Sequence, residues 1–134
     1  REAGVVCNLV SGNPYYMQKL CYILFDGTKD NIASDDQIYQ AFDSLLYAEK
    51  GYFEMNMDSL TPRQKSLMKA LAKERTQNIY AKDYIRKHNL GSIGGIQQSL
   101  DRLSKIDLIT KENKTWKIVD PVMETWLKEK FFSF

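Results

Sequence analysis

The 134-residue chain has little of what catalytic centres are usually built from. It has one histidine, two cysteines, three prolines and seven glycines. His88 stands in the polar run Arg86-Lys87-His88-Asn89, so material for a His-based zinc site or a Cys/His nucleophile pair is lacking. No G-x-x-x-x-G-K-[ST] loop, G-x-S-x-G elbow or H-E-x-x-H helix occurs. Catalysis by this chain alone is not expected, nor is a metal site. Cys7 and Cys21 both lie in apolar stretches, which suits reduced core thiols in a cytoplasmic protein, close to each other across the Gly12 turn. No stretch approaches eighteen consecutive apolar residues, which excludes a membrane-spanning helix. Arg1-Glu2-Ala3-Gly4 lacks the order of a signal peptide and has no initiator methionine. The sequence therefore reads as a piece of a longer chain.

What is present is a globular balance, with 43% hydrophobic and 27% charged residues. The length fits one ordinary domain or two very small ones. A net charge of +2 hides an asymmetry. Residues 1–57 carry four Lys/Arg against eight Asp/Glu, whereas residues 58–134 carry fifteen against nine. Two parts are expected, an acidic one over 1–57 and a basic one over 58–134, the second a candidate for meeting nucleic acid.

Each proline follows a polar cap residue and suits the first position of a helix, where its missing N–H costs nothing. Asn13-Pro14 opens a helix to about Phe25 with Tyr16, Leu20, Cys21 and Leu24 at helical spacing. Thr61-Pro62-Arg63-Gln64 and Ser34-Asp35-Asp36-Gln37 are capping boxes, with Asp35 and Asp36 complementing the helix dipole. The Ser34 helix is expected to stop at Gly51, and Asp120-Pro121 opens the last one. Val5, Val6, Leu9 and Val10 read as a helix end before Ser11-Gly12. Tyr15, Tyr16, Tyr22, Tyr39 and Tyr47 are expected to pack in cores and between helices rather than form a stacking surface.

The basic part reads helix, helix, helix, hairpin, helix. A short helix over 80–87 precedes one over 92–105 with Ile96, Leu100, Leu103 and Ile106 on one face. Leu108-Ile109-Thr110 and Trp116-Lys117-Ile118-Val119 flank the polar loop 111–115 as a two-stranded hairpin. The fold class expected is mainly α: a small helical, lid-like subdomain, then a winged helix-turn-helix with a two-stranded wing.

Ser11-Gly12-Asn13-Pro14-Tyr15-Tyr16-Met17-Gln18-Lys19-Leu20 resembles the Gly-x-Pro segment that follows the nucleotide-binding core of archaeal-type, STAND-like AAA+ P-loop ATPases. Leu60-Thr61-Pro62-Arg63-Gln64 resembles the opening of their C-terminal winged helix, and Trp116 to Pro121 with Trp126-Leu127 is similar to its end. The resemblance spans nearly the whole chain, as helical lid plus winged helix, and implies a C-terminal region whose P-loop core lies upstream. It implies that Gly12 and Pro14 lie against ATP or ADP bound by that core, with Lys19 the one candidate for a basic sensor. No nucleotide is expected to bind this piece alone. A helix N-terminus with free N–H groups, preceded by a glycine that permits close approach, is compatible with that role.

A winged helix that reads double-stranded DNA would place the 92–105 helix in the major groove. Ser92, Gln97, Gln98, Asp101, Arg102 and Lys105 form its exposed face, with Gln97, Gln98 and Arg102 the base-contact candidates. Lys111, Lys114 and Lys117 would put charge on the wing near phosphates, and Gly94-Gly95 would let the helix start approach a backbone. Asp101 has the wrong sign for phosphate. Glutamine, serine and lysine also occupy any solvated helix face, and in STAND-type ATPases the winged helix often packs on the core. Three readings stay open: a regulatory region of an ATPase, a stand-alone DNA-binding regulator, and a module that docks on a client protein. Phe131-Phe132-Ser133-Phe134 needs covering by the Thr61 helix, the core or a second copy.

Overall fold

In a computed structural model the protein is described over residues 2–27 and 34–132. The side chains of residues 2, 3, 6, 7 and 25–27 lie outside that description, and with them the expected closeness of Cys7 to Cys21. Ser133 and Phe134 lie outside it as well. The chain forms two compact units, Arg1–Phe53 and Glu54–Phe134.

The first unit holds α1 (Glu2–Leu9), α2 (Pro14–Gly27) and most of α3 (Asp35–Asp58). Asn13 starts α2 by accepting the Tyr16 N–H on its side-chain oxygen, and Pro14 is the first helical residue. Ser34 and Gln37 close the expected capping box reciprocally, at 3.2 and 2.9 Å. The core is Val10, Tyr16, Leu20, Ile38, Phe42, Leu45, Leu46 and Phe53.

Two expectations fail in this unit. Gly51 does not end the helix, which continues to Asp58. Phe53 and Met57 carry the apolar stripe onward and are buried; that burial outweighs the roughly 1 kcal/mol a mid-helix glycine costs. The tyrosines do not pack inside, Tyr16 excepted. Tyr15, Tyr22, Tyr39 and Tyr47 are each more than half exposed. Successive helical residues point about 100° apart, so Tyr15 and Tyr16 cannot both face inward. Tyr39 and Tyr47 fall outside the stripe that Ile38, Phe42, Leu45 and Leu46 define.

The second unit is built around α4 (Pro62–Lys73), which packs against α5 (Lys82–His88), α6 (Ile93–Lys105), β2 (Thr115–Ile118) and α7 (Pro121–Phe132). Thr61 and Gln64 form the expected capping box, and Asp120 caps α7 through the Val122 and Met123 N–H groups. β1 (Ile109–Glu112) pairs antiparallel with β2, in register Ile109 with Ile118. The strands reach further than expected: Lys111, Glu112 and Thr115 belong to them, leaving a two-residue turn at Asn113-Lys114. Both turn residues have positive φ, 51° and 66°, as a type I′ hairpin requires. Thr76 adds one bridge to Trp116, whose N–H donates to the Thr76 carbonyl at 2.8 Å. Phe131 and Phe132 lie beneath the ammonium groups of Lys69 and Lys73 on α4, so the terminal aromatics that are described fold back on the Thr61 helix. Over the described residues the chain is mainly helical, with an antiparallel hairpin.

Candidate nucleic-acid interface

The face of interest begins with α6. Ser92 accepts the Gly95 N–H at 3.1 Å and so caps the helix. Gly95, Ile96, Ser99, Leu100 and Leu103 are its buried residues. Ser92, Gly94, Gln97, Gln98, Asp101, Arg102 and Lys105 are all exposed. Gly94, Gln98, Asp101 and Lys105 follow at spacings of four, three and four, so they make one ridge along the helix. Gln97 flanks that ridge on one side and Arg102 on the other. Arg102, Lys105 and Lys114 make no ion pair among the described residues.

The two glycines of the first turn have different reasons. A Cβ at Gly94 would meet nothing within 4 Å, so the helix start is open there to close approach. A Cβ at Gly95 would overlap the Arg63 guanidinium. Gly95 is therefore buried under Arg63 rather than available to a partner, which corrects the expectation for the Gly94-Gly95 pair. Arg63 was not legible as part of this face: nothing in the box Thr61-Pro62-Arg63-Gln64 signals a side chain reaching a helix some thirty residues on.

The wing carries its lysines in three different states. Lys114 sits at the tip in the left-handed region, exposed. Lys111 lies with its ammonium 5.6 Å from the centroid of the Trp116 ring, beside a groove that Asp107, Ile109 and Val119 also line. Lys117 pairs with Glu112 at 2.9 Å, and that pairing holds the Glu112 carboxyl below the usual carboxylate range. Among the described residues Lys111 and Lys114 are thus the wing cations without a carboxylate partner, and Lys117 has one.

Behind the face, α5 is fastened to the end of α4. Glu74 takes Lys87 at 2.9 Å and His88 at 2.7 Å on the same oxygen. Lys87 chiefly, then His88, keeps the Glu74 carboxyl below its ordinary value. The Tyr84 hydroxyl donates to the Glu74 carbonyl at 2.9 Å, and its ring lies against His88. Burial pushes the Tyr84 hydroxyl well above the usual phenol range. The lone histidine is a structural clamp by its contacts.

In the first unit, Ser11 and Gly12 are consecutive left-handed residues, at φ 51° and 70°. Glycine takes that conformation freely and serine does not. Gly12 and Pro14 are exposed beside each other at the start of α2. This start offers fewer free donors than an ordinary helix N-terminus, because Pro14 has no N–H and Asn13 holds that of Tyr16. Lys19 is not brought to them as a free charge. Its ammonium is bound by the buried Glu49 and by the Tyr15 hydroxyl, and Glu49 above all raises its pKa.

Among the described residues no group of three or more His, Cys, Asp or Glu could hold a metal, and no helix is long and apolar enough to cross a membrane. No curated protein matches the chain. The fold of the Walker-type ATPase of Pyrococcus abyssi is similar, with a TM-score of 0.68 over 91% of this chain at 22% identity. The chain spans about a third (34%) of that protein's length. The family described as "Probable winged helix domain" matches residues 51–129, which takes in α4 to α6, the wing and most of α7. With more than half of its length so matched, the chain belongs to that winged-helix family.

Proposed function

We propose that this chain is the regulatory region of a P-loop ATPase whose winged helix contacts double-stranded DNA through α6 and the wing. The observation that carries the reading is the set of cations on one domain's exposed elements that have no ion-pair partner among the described residues: Arg102 and Lys105 on α6, Lys111 and Lys114 on the wing, with Gln97 and Gln98 exposed on the N-terminal half of α6. Phosphate contact needs cations not already neutralised by carboxylates. Base reading needs side chains such as glutamine and arginine on an exposed helix. Lysine at the second position of a type I′ turn, where glycine is preferred, also supports it, because strained side chains persist where function holds them.

The nucleotide arm of the proposal assigns ATP or ADP to an upstream P-loop core of the same polypeptide. Gly12 and Pro14 lie against it, and their movement is relayed to the winged helix. Lys19 joins them only on leaving Glu49. The likeness to the Walker-type ATPase supports this arm through the fold alone. The isolated chain is expected to bind neither ATP nor ADP in calorimetry.

The test is duplex binding by wild type, Arg102→Ala and Lys114→Ala. Each substitution is expected to weaken binding by about three- to tenfold, with Lys114→Ala acting equally on all sequences. Unchanged affinity in both would place contact elsewhere and favour docking of the winged helix on a client protein.

A further inference from the structure

We infer that Asp101 is a further base-selecting residue of α6, beside Gln97, Gln98 and Arg102, accepting a hydrogen bond from the exocyclic amine of a cytosine in the major groove; the inference rests on the proposed DNA contact.

Asp101 holds the middle of the exposed ridge Gly94-Gln98-Asp101-Lys105, opposite the buried stripe of Ile96, Leu100 and Leu103. Its carboxylate has no partner among the described residues, although Lys105 lies one turn on. An acid there is unfavourable for contact with phosphates, and the same ridge would bind any duplex better without it. The repulsion is offset only where the groove edge presents a donor.

Cytosine presents its N4 amine and no acceptor of its own in the major groove. Guanine and thymine present acceptors, which repel a carboxylate. Adenine has an amine but sets the N7 lone pair beside it. Asp101 thus lowers affinity for DNA in general and restores it at one cytosine, so selectivity arises from a charge that opposes non-specific binding.

The experiment uses the 134-residue chain and its Asp101→Ala and Asp101→Asn variants against a randomised duplex pool and one mixed-sequence duplex. Asp101 is exposed, and circular dichroism checks that the variants fold. Wild type is expected to select sites with one fixed cytosine. Asp101→Ala should lose that position and bind the mixed duplex about five- to tenfold more tightly, the scale of a single base contact. Asp101→Asn should move the preference toward adenine. Wild-type binding with a base preference and affinity that neither variant alters would overturn the role of Asp101 and leave the DNA reading standing. Failure of all three proteins to bind any duplex at low salt would overturn both.

Discussion

The two compact units both start helices with side-chain caps, Asn13 and Ser34 in the first and Thr61, Ser92 and Asp120 in the second, and differ in the surface around them. In residues 54–134 three helix starts carry side-chain caps, the Thr61 box, Ser92 and Asp120, while α5 starts at Ala81 without one and ends at Asn89 in the left-handed region. Arg75 and Glu124 tie α7 to the segment after α4 through two parallel hydrogen bonds, at 2.9 and 2.7 Å. In residues 1–53 the interior is good but the surface is not resolved into polar and apolar faces. Tyr15, Tyr22, Tyr39, Tyr47 and Tyr52 all stand more than half exposed. A sequence whose pattern, caps and charges agree specifies its fold locally. Aromatic residues on both sides of a helix leave the inward side ambiguous.

The largest contrast is expected between core and surface. Leu71, fully buried on α4, should cost about 3 kcal/mol as Leu71→Ala in urea unfolding. Tyr47, 79% exposed, should cost less than about 0.5 kcal/mol as Tyr47→Ala. A comparable loss at Tyr47 would mean that the tyrosine face is covered in solution, and the contrast between the units would collapse.

Next in size is the Arg75–Glu124 pair. Glu124→Ala should lower stability by about 1 kcal/mol, since the pair is bidentate but Arg75 is half in water. The loss should shrink in high salt. Arg75 itself stays protonated, its pKa raised chiefly by Glu124.

These differences explain what could be read from sequence. The three proline starts, both capping boxes and the hairpin were legible because each rests on local chemistry that tertiary packing left alone. The run through Gly51 was not, because a glycine near a helix end looks like a stop until Phe53 and Met57 are known to be buried. The tyrosines misled because their spacing fits either face. On the candidate interface, the exposed residues of α6 followed from periodicity. The pairing of Lys117 with Glu112 needed the register of the hairpin, and the cover of Arg63 over Gly95 needed the crossing of α4 and α6. Lys19 was legible as a basic residue near Pro14, but its capture by Glu49 from another helix was not.

A smaller effect separates stability from function within the second unit. Lys114→Gly should stabilise the hairpin by about 0.5–1 kcal/mol, because glycine takes φ 66° without strain. Duplex binding should fall in the same variant. A variant that is more stable and binds as well as wild type would remove the tip from the interface.

The smallest effect concerns pH. Glu74 has its carboxyl lowered from 4.5, first by Lys87 and then by His88. A depressed carboxyl contributes stability above its unfolded value and loses it as pH falls through the folded one. Glu74→Gln should therefore be less stable than wild type at neutral pH, with the gap closing in acid below about 4.5. A gap that stays constant through acid would show that the clamp on α5 does not depend on the Glu74 charge.

The most direct test of the account is binding of the 134-residue chain to a mixed-sequence duplex across a range of salt concentrations. Four cations on α6 and the wing with no ion pair among the described residues predict that affinity falls steeply, with a log–log slope of about −3 to −4. Binding with no salt dependence, or none at low salt, would contradict a phosphate-contacting winged helix and leave protein docking as the function of this face.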